Sequence, residues 1–254
     1  MSDNAAPKFH DANCFIGLPT HRIESPLADG DALLREMDRV GIDRALVWHV
    51  AQRDYAAPVG NELLTQAIAG HGDRLSGCWS ILPPQTGEMP TGDGLFAEMA
   101  GANVRALRAW PKQHRYLLRE EVFGELFEQM TARRVPLLLS VPDAVSWEGV
   151  YDLLASVPEL TVVLCDVGVW GQDRLFRPLM QRYPNVYLEL SKYYQDGGIA
   201  SFVSAFGHGR LLYGSGMPLR DYSMMFAVRH AAGEQAAAAI AGGNLAGLLE
   251  GVRI

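Results

Sequence analysis

Cysteine is scarce in this chain. Only Cys14, Cys78 and Cys165 occur, with no Cys-x-x-Cys spacing, and an odd count leaves one unpaired in any disulfide framework. Reduced, structural thiols are expected. Long apolar runs are also missing: nothing approaches the roughly 18 residues that span a bilayer, and the opening MSDNAAPKFH lacks the apolar core of a secretory signal. The reading is a cytoplasmic protein with no membrane partner. Runs of Lys or Arg are absent too, since 22 basic residues face 29 acidic ones and the formal charge of -7 is spread along the chain. Such a surface cannot follow a phosphate backbone, so nucleic acid is not an expected partner. Nor does a GxGxxG or Walker-type loop follow any apolar run, which removes the usual phosphate cradle of an open nucleotide-binding sheet.

What is present is alternation. The 254 residues are 48% hydrophobic, enough for one sizeable core, and residues 1–254 are read as one domain. Short β-branched or apolar runs recur eight times, at Phe9–Ile16, Arg44–Val50, Ser76–Leu82, Val104–Trp110, Val135–Val141, Thr161–Val167, Val186–Lys192 and Leu211–Gly216. Between them lie stretches with apolar residues every three or four positions, among them Asp31–Val40, Asn61–Gly70, Glu121–Arg134, Trp147–Ser156, Asp173–Tyr183 and Ile199–Phe206. Eight βα units in this length predict an α/β fold closed as a (β/α)₈ TIM barrel, with an open doubly wound sheet as the alternative. Glu234–Glu250 reads as an Ala-rich helix interrupted at Gly242 and Gly243. Pro83–Gly94 reads as a βα loop with a helix start, not as a linker.

In such a barrel, chemistry belongs at the carboxyl ends of the strands. The polar residues there are Asn13, His49, Arg108, Lys112, Ser140, Asp166, Glu189, Ser191, Lys192, Tyr193, Ser215 and Arg220.

Several framework segments carry a family likeness: Leu34 to Ala45 leading into the second strand, Gly60-Asn61-Glu62 through Asp73-Arg74-Leu75, and Pro158 to Leu164. Tyr183 to Ser191, Arg210 to Ser215 and Gly243-Asn244-Leu245-Ala246 complete the set. In their order and spacing the chain resembles the amidohydrolase superfamily, in particular the branch of carboxymuconate-semialdehyde and resorcylate-type decarboxylases. That resemblance implies a metal-dependent hydrolase fold with a divalent ion at the mouth, held by a His-x-His pair on strand one, a His on strand five or six and an Asp after strand eight. Imidazole and carboxylate suit such an ion, and a water on its open position does the chemistry. Here those positions read Asn13, Phe15, Ser140, Asp166 and Gly216. Phe15 cannot bind a metal, and the set offers one anionic oxygen donor group, so neither a metal site nor another cofactor is expected. Rescue by Cys14 and Cys165 fails on strand parity, because each stands out of phase with an inward neighbour.

Asp166 is the first catalytic candidate, because a carboxylate at the mouth beside Asn13 and Ser140 is placed to move protons or grasp a hydroxyl. Its structural alternative is a strand-end cap or ion pair. His49, the one histidine at a predicted strand end, is the second candidate as a general acid or base, with a packing role as its alternative. His10, His21, His71, His114, His208 and His230 fall elsewhere and receive no role. Arg108 is assigned either to a substrate carboxylate, through its planar fork, or to an internal pair with Glu189. Asn13, Trp110, Ser140, Lys192 and Tyr193 complete the substrate-binding set. Phe15, Trp48, Tyr194 and Trp170 add aromatic surface, and Lys112, Lys192 and Arg220 add charge suited to a small carboxylate, resembling the substrates of the parent family. The resulting expectation is a metal-independent hydrolase or lyase of a small carboxylated metabolite, such as a lactone or aromatic acid. Its alternative is a catalytically inactive pseudoenzyme that binds a small ligand or a partner protein, and a metalloenzyme with relocated ligands is a third. The resemblance also implies a homodimer.

Overall fold

The computed structural model describes residues 7–168, 171–220, 222–231 and 233–254. The eight apolar runs form parallel strands: β1 Phe9–Ile16, β2 Ile42–His49, β3 Leu75–Ile81, β4 Val104–Ala109, β5 Leu137–Ser140, β6 Val162–Cys165, β7 Val186–Glu189 and β8 Leu211–Leu212. They pair in sequence order from β1 to β8. The ring is closed by backbone bonds from Ala12 N to the Tyr213 carbonyl (2.9 Å), Gly216 N to Asn13 (2.9 Å) and Phe15 N to Met217 (3.1 Å). The fold is a (β/α)₈ TIM barrel.

Helices bury the outer face of each strand and the packed interior buries the inner one, so apolar residues need not alternate with polar ones. They divide instead into two layers. Leu46, Trp48, Cys78, Ala106, Leu138, Val163 and Leu212 fill the interior, while Val47, Leu107, Leu139, Leu164 and Leu188 pack outward on Leu33, Leu64, Phe127 and Phe176 of the helices. Each such fully buried side chain contributes about 2 kcal/mol by leaving water. Arg108, Ser140 and Glu189 lie at inward positions of their strands and are buried polar exceptions.

Local signals explain the helix ends. Helix Gly30–Val40 begins where the Asp29 side chain accepts from Ala32 N and stops at Gly41, whose φ of 82° is left-handed. Trp147–Ser156 is capped by Ser146, which accepts from Gly149 N. The interruption expected at Gly242 and Gly243 is a π-helical turn, Ala239–Gly243, between helices Glu234–Ala238 and Asn244–Glu250. A Cβ on Gly242 would collide with the Lys8 carbonyl, so glycine lets this helix close against the start of β1. β8 is shorter than predicted, because Tyr213 N bonds Ile240 of that helix and not a strand.

One buried network positions part of the mouth. Gln52 Nε2 donates to Asn61 Oδ1 (2.8 Å) and to the Cys78 carbonyl (3.0 Å), while Asn61 Nδ2 donates to the Ser80 carbonyl (2.9 Å). These bonds pin the short helix Ala51–Asp54 over the ends of β2 and β3, which fixes Arg53. Among the described residues no helix is long and apolar enough to cross a membrane.

Candidate active site at the barrel mouth

The site begins at an irregularity in β1. Asp11 pairs with Ala45 but Cys14 with Val47, so β1 carries one extra residue there. This bulge puts Asn13 beside the inward-packed Ala12 and Phe15. Asp11 is fully buried and accepts from Asn13 N (2.9 Å), Ser215 N (3.0 Å) and Ser215 Oγ (2.5 Å), latching the bulge to the loop after β8. Burial raises its pKa, and the three donors oppose that rise.

Asp166 follows β6 in a left-handed conformation, φ 60°. Aspartate tolerates this region better than most residues. The turn also corrects the expected parity of Cys165. With Val163 below it, Cys165 packs into the interior, and the backbone twist at Asp166 brings the next side chain to the mouth as well. Cys14 does face outward, as its alternation requires.

Around Asp166 the polar residues converge. Ser140 Oγ donates to Oδ2 at 2.7 Å, Arg220 Nη1 to Oδ1 at 3.0 Å and Asn13 Nδ2 to Oδ1 at 3.4 Å, with Arg108 Nη2 at 3.9 Å. Burial raises the Asp166 pKa, but the Arg108 and Arg220 charges and the Ser140 hydroxyl outweigh it and hold the carboxyl below its ordinary value. Asp166 is therefore ionised at neutral pH.

Arg108 is 0% exposed. Its Nη2 donates to Asn13 Oδ1 (3.0 Å) and Ser140 Oγ (3.1 Å), and its guanidinium lies 5.0 Å from the ring centres of both Trp48 and Trp110. The indole faces take the place of partners for Nε and Nη1, which have no hydrogen bond. The direct Arg108–Glu189 pair considered from sequence is not formed, because Asn13 stands between them and donates to Glu189 Oε2 at 2.9 Å. Glu189 also accepts from Asp166 N, Ser191 Oγ and Ser191 N. Burial and then the Asp166 charge push its pKa up to about 7.

A cavity of about 240 Å³ opens on this cluster, walled by Asn13, Phe15, Trp48, Trp110, Ser140 and Asp166 on the barrel side. Ligand sites commonly span about 300–1,000 Å³, so this one suits a small molecule. Four expected site residues thus meet at the cavity: Asn13, Trp110, Ser140 and Asp166. Arg108 is not on its wall.

Three others, His49, Tyr193 and Lys192, do not line the cavity, although Lys192 bonds the wall residue Asp143 and its charge adds to those that lower Asp166. His49 follows the inward Trp48, so its ring turns outward onto Gly17, and its Nδ1 accepts from Ala51 N at 3.1 Å. Burial lowers its pKa. Tyr193 is buried against Phe176 and donates to Asp173 Oδ1 at 3.0 Å. Lys192 Nζ pairs with Asp143 Oδ2 at 3.3 Å. Trp170 lies outside the described residues.

The structure adds to the wall Arg53, His21, Gln113, Asp143 and Leu219, together with Gly216 and Arg220. Arg53 pairs with Asp54 at 2.5 Å and lies 5.6 Å and 5.9 Å from the Trp48 and Trp110 rings. Asp54 in turn accepts from Thr20 N and Oγ1, which holds the loop bearing His21 near the mouth. Sequence reasoning found Arg220 but missed Arg53 and His21. The one available signal was position, three residues after Val50 for Arg53.

The positions that resemble a metal-ligand set do not fit a divalent ion. Phe15 packs on Trp48 at 4.8 Å, the Asp166 oxygens already accept from Ser140, Arg220 and Asn13, and the volume above Gly216 holds the Arg220 guanidinium. A cation there would face two guanidinium charges. Among the described residues no group of three or more His, Cys, Asp or Glu side chains is arranged to hold a metal ion.

The model of the amidohydrolase family matches residues 17–250. The chain belongs to the amidohydrolase family. The match begins just past β1, so Asn13 and Phe15 precede it. No curated protein sequence matches this amidohydrolase. Among solved structures it resembles an uncharacterised TIM-barrel protein of Bordetella bronchiseptica, at 18% identity and TM-score 0.71 over 96% of this chain and 99% of that one. It also resembles a 2,6-dihydroxybenzoate decarboxylase of Rhizobium, at 14% identity and TM-score 0.71 with coverage of 96% and 99%. A probable 2-pyrone-4,6-dicarboxylic acid hydrolase of Acinetobacter baumannii aligns at 13% identity and TM-score 0.70 with the same coverage. Likeness at this level of identity speaks to fold.

Proposed function

We propose that this amidohydrolase is an enzyme of small, flat, carboxylated substrates, a hydrolase or lyase that works at the barrel mouth without a divalent ion. The observation that carries the reading is the ionised Asp166 on the wall of an aromatic-lined cavity, bracketed by Arg108 and Arg220. Two solved relatives support the substrate class, since a dihydroxybenzoate and a pyrone dicarboxylic acid are both flat carboxylated rings. The rings of Phe15, Trp48 and Trp110 would face a planar substrate, and Arg53 and Arg220 supply the positive charge on the wall.

For a lactone, Asp166 accepts a proton from water as the water oxygen bonds to the carbonyl carbon. The oxyanion that forms is stabilised by guanidinium charge. The ring C–O bond then breaks, and the departing oxygen takes the proton back from Asp166, giving the hydroxy acid. General-base help of this kind contributes about 100-fold or more.

A screen of lactones and small aromatic acids against wild type and Asp166→Asn tests the proposal. Turnover should fall by about 100-fold in the variant; unchanged turnover removes Asp166 from the chemistry. One observation favours a second reading, a protein that binds such a ligand without turning it over: both Asp166 oxygens already accept charged or polar donors, which weakens the group as a base. Ligand binding with no turnover of any compound in the screen supports that reading.

A further inference from the structure

We infer that Arg220, seated over Gly216, is the residue that holds the ligand's carboxylate and supplies positive charge at a mouth whose described residues form no group able to hold a metal ion. The inference rests on the reading of the mouth as a site for small carboxylated ligands and names the group that makes it one.

Gly216 has a left-handed φ of 68°, and a Cβ there would collide with Arg220 Nη1 and come within 3.0 Å of its Cδ. Only glycine leaves room for this arginine to fold back toward the barrel. Its Nη1 is then fixed by Asp166 Oδ1 at 3.0 Å and Ser191 Oγ at 3.4 Å. No described residue accepts from its Nε or Nη2, and the side chain, 15% exposed, lies on the cavity wall. Among the described residues that is one pinned corner of a planar fork, with Nε and Nη2 bonded to none of them and able to donate to a carboxylate.

Of the other cations, Arg108 is buried away from the cavity wall and Lys192 pairs with Asp143, while Arg53, bonded through Nε to Asp54, stands on the same wall as a second guanidinium beside the two indole rings. The Trp48 and Trp110 indole N–H groups are buried without an acceptor, and both residues line the same cavity. The wall is rich in donors and holds two carboxylates, Asp166 deep among them and the exposed Asp143 paired with Lys192, which fits an anionic ligand with a flat apolar body. Benzoate is the simplest probe, and benzamide is its uncharged counterpart.

The test is equilibrium binding of benzoate and benzamide to the full chain, by calorimetry and by tryptophan fluorescence, with EDTA present. Wild type should bind benzoate at least tenfold more tightly than benzamide. Arg220→Gln should weaken benzoate at least tenfold and erase that preference. Gly216→Ala, which displaces the arginine and also strains a left-handed backbone, should weaken benzoate by a similar factor with its native circular dichroism kept, and the double variant should bind no more weakly than Arg220→Gln alone. Should Arg220→Gln fail to fold, Arg220→Lys replaces it; it keeps the charge, loses the fork and should bind benzoate with intermediate affinity. The inference is overturned by variants that bind benzoate within twofold of wild type, by equal affinity for benzamide, or by a wild type that binds no benzoate. Binding through Arg220 with no turnover of any compound contradicts the enzymatic reading alone, whereas lactone turnover with an unaltered Arg220→Gln contradicts this inference alone.

Discussion

The backbone N–H of Asp166 donates to Glu189 Oε2 at 3.2 Å, and Asn13 Nδ2 reaches both carboxylates, so two acids share one corner of the mouth. Burial and the Asp166 charge raise Glu189 from an ordinary 4.5 to about 7. A folded protein with a raised acid keeps a proton that the unfolded chain has released, so this contribution to stability is complete below 4.5 and lost as pH rises through 7. His10, His49 and His114 are lowered by burial and act in the opposite sense, but they are common to wild type and variants. Asp166→Asn removes the neighbouring charge. Its stability relative to wild type should therefore improve by on the order of 1 kcal/mol between about pH 5 and about pH 8. Urea unfolding across that range checks this, and a pH-independent difference contradicts it.

Arg108 should matter more for stability than any cation on the cavity wall. Replacing it with methionine keeps bulk between Trp48 and Trp110 but strips Asp166 of one buried partner and leaves Asn13 Oδ1 without its donor. A loss of about 3 kcal/mol is expected by urea unfolding, at the lower end for a broken buried pair because Arg220 remains. Arg108→Lys should recover only part of it, since a lysine cannot lie flat between two indoles.

Gly214 is a second position where absence of a side chain makes the site. A Cβ there would run into the Glu189 carboxylate. Gly214→Ala should cost about 3 kcal/mol or more through overpacking. Gly94, in helix Gly92–Gly101 with nothing near its missing Cβ, is the control; Gly94→Ala should be neutral or stabilising by roughly 0.5 kcal/mol.

All three thiols are buried, and burial pushes each upward, Cys78 to about 12. The folded protein should give no fast reaction with a disulfide reagent at neutral pH, and three equivalents should appear on denaturation. One fast-reacting thiol in the native protein would contradict this placement.

The barrel was legible because parallel strands buried on both faces read as apolar runs, and Trp147–Ser156 was read to the residue. Trp110, Ser140 and Asp166 were legible for the same reason, since each ends a strand or follows its last residue, whereas Asn13 lies inside β1 at its bulge. Where a side chain turns away from the cavity or from its expected face, the cause is local. His49 was judged by being at a strand end, yet inward Trp48 before it fixes the opposite direction for its ring. Cys165 was judged by alternation, which the left-handed Asp166 breaks. Lys192 and Tyr193 follow the end of β7, where the chain has left the strand and parity no longer applies. Arg53 depends on a helix of four residues held by the Gln52–Asn61 bond, and His21 on a loop tied by Asp54 to Thr20; such tertiary contacts leave no periodic trace.

The central claim is that the mouth works through guanidinium charge and not through a divalent ion. Metal analysis of the full chain, expressed with zinc and manganese in the medium and purified without chelator, tests it most directly. Less than about 0.1 equivalent per chain after gel filtration is the expected result, whereas about one equivalent of zinc or manganese, retained at the mouth, would contradict it.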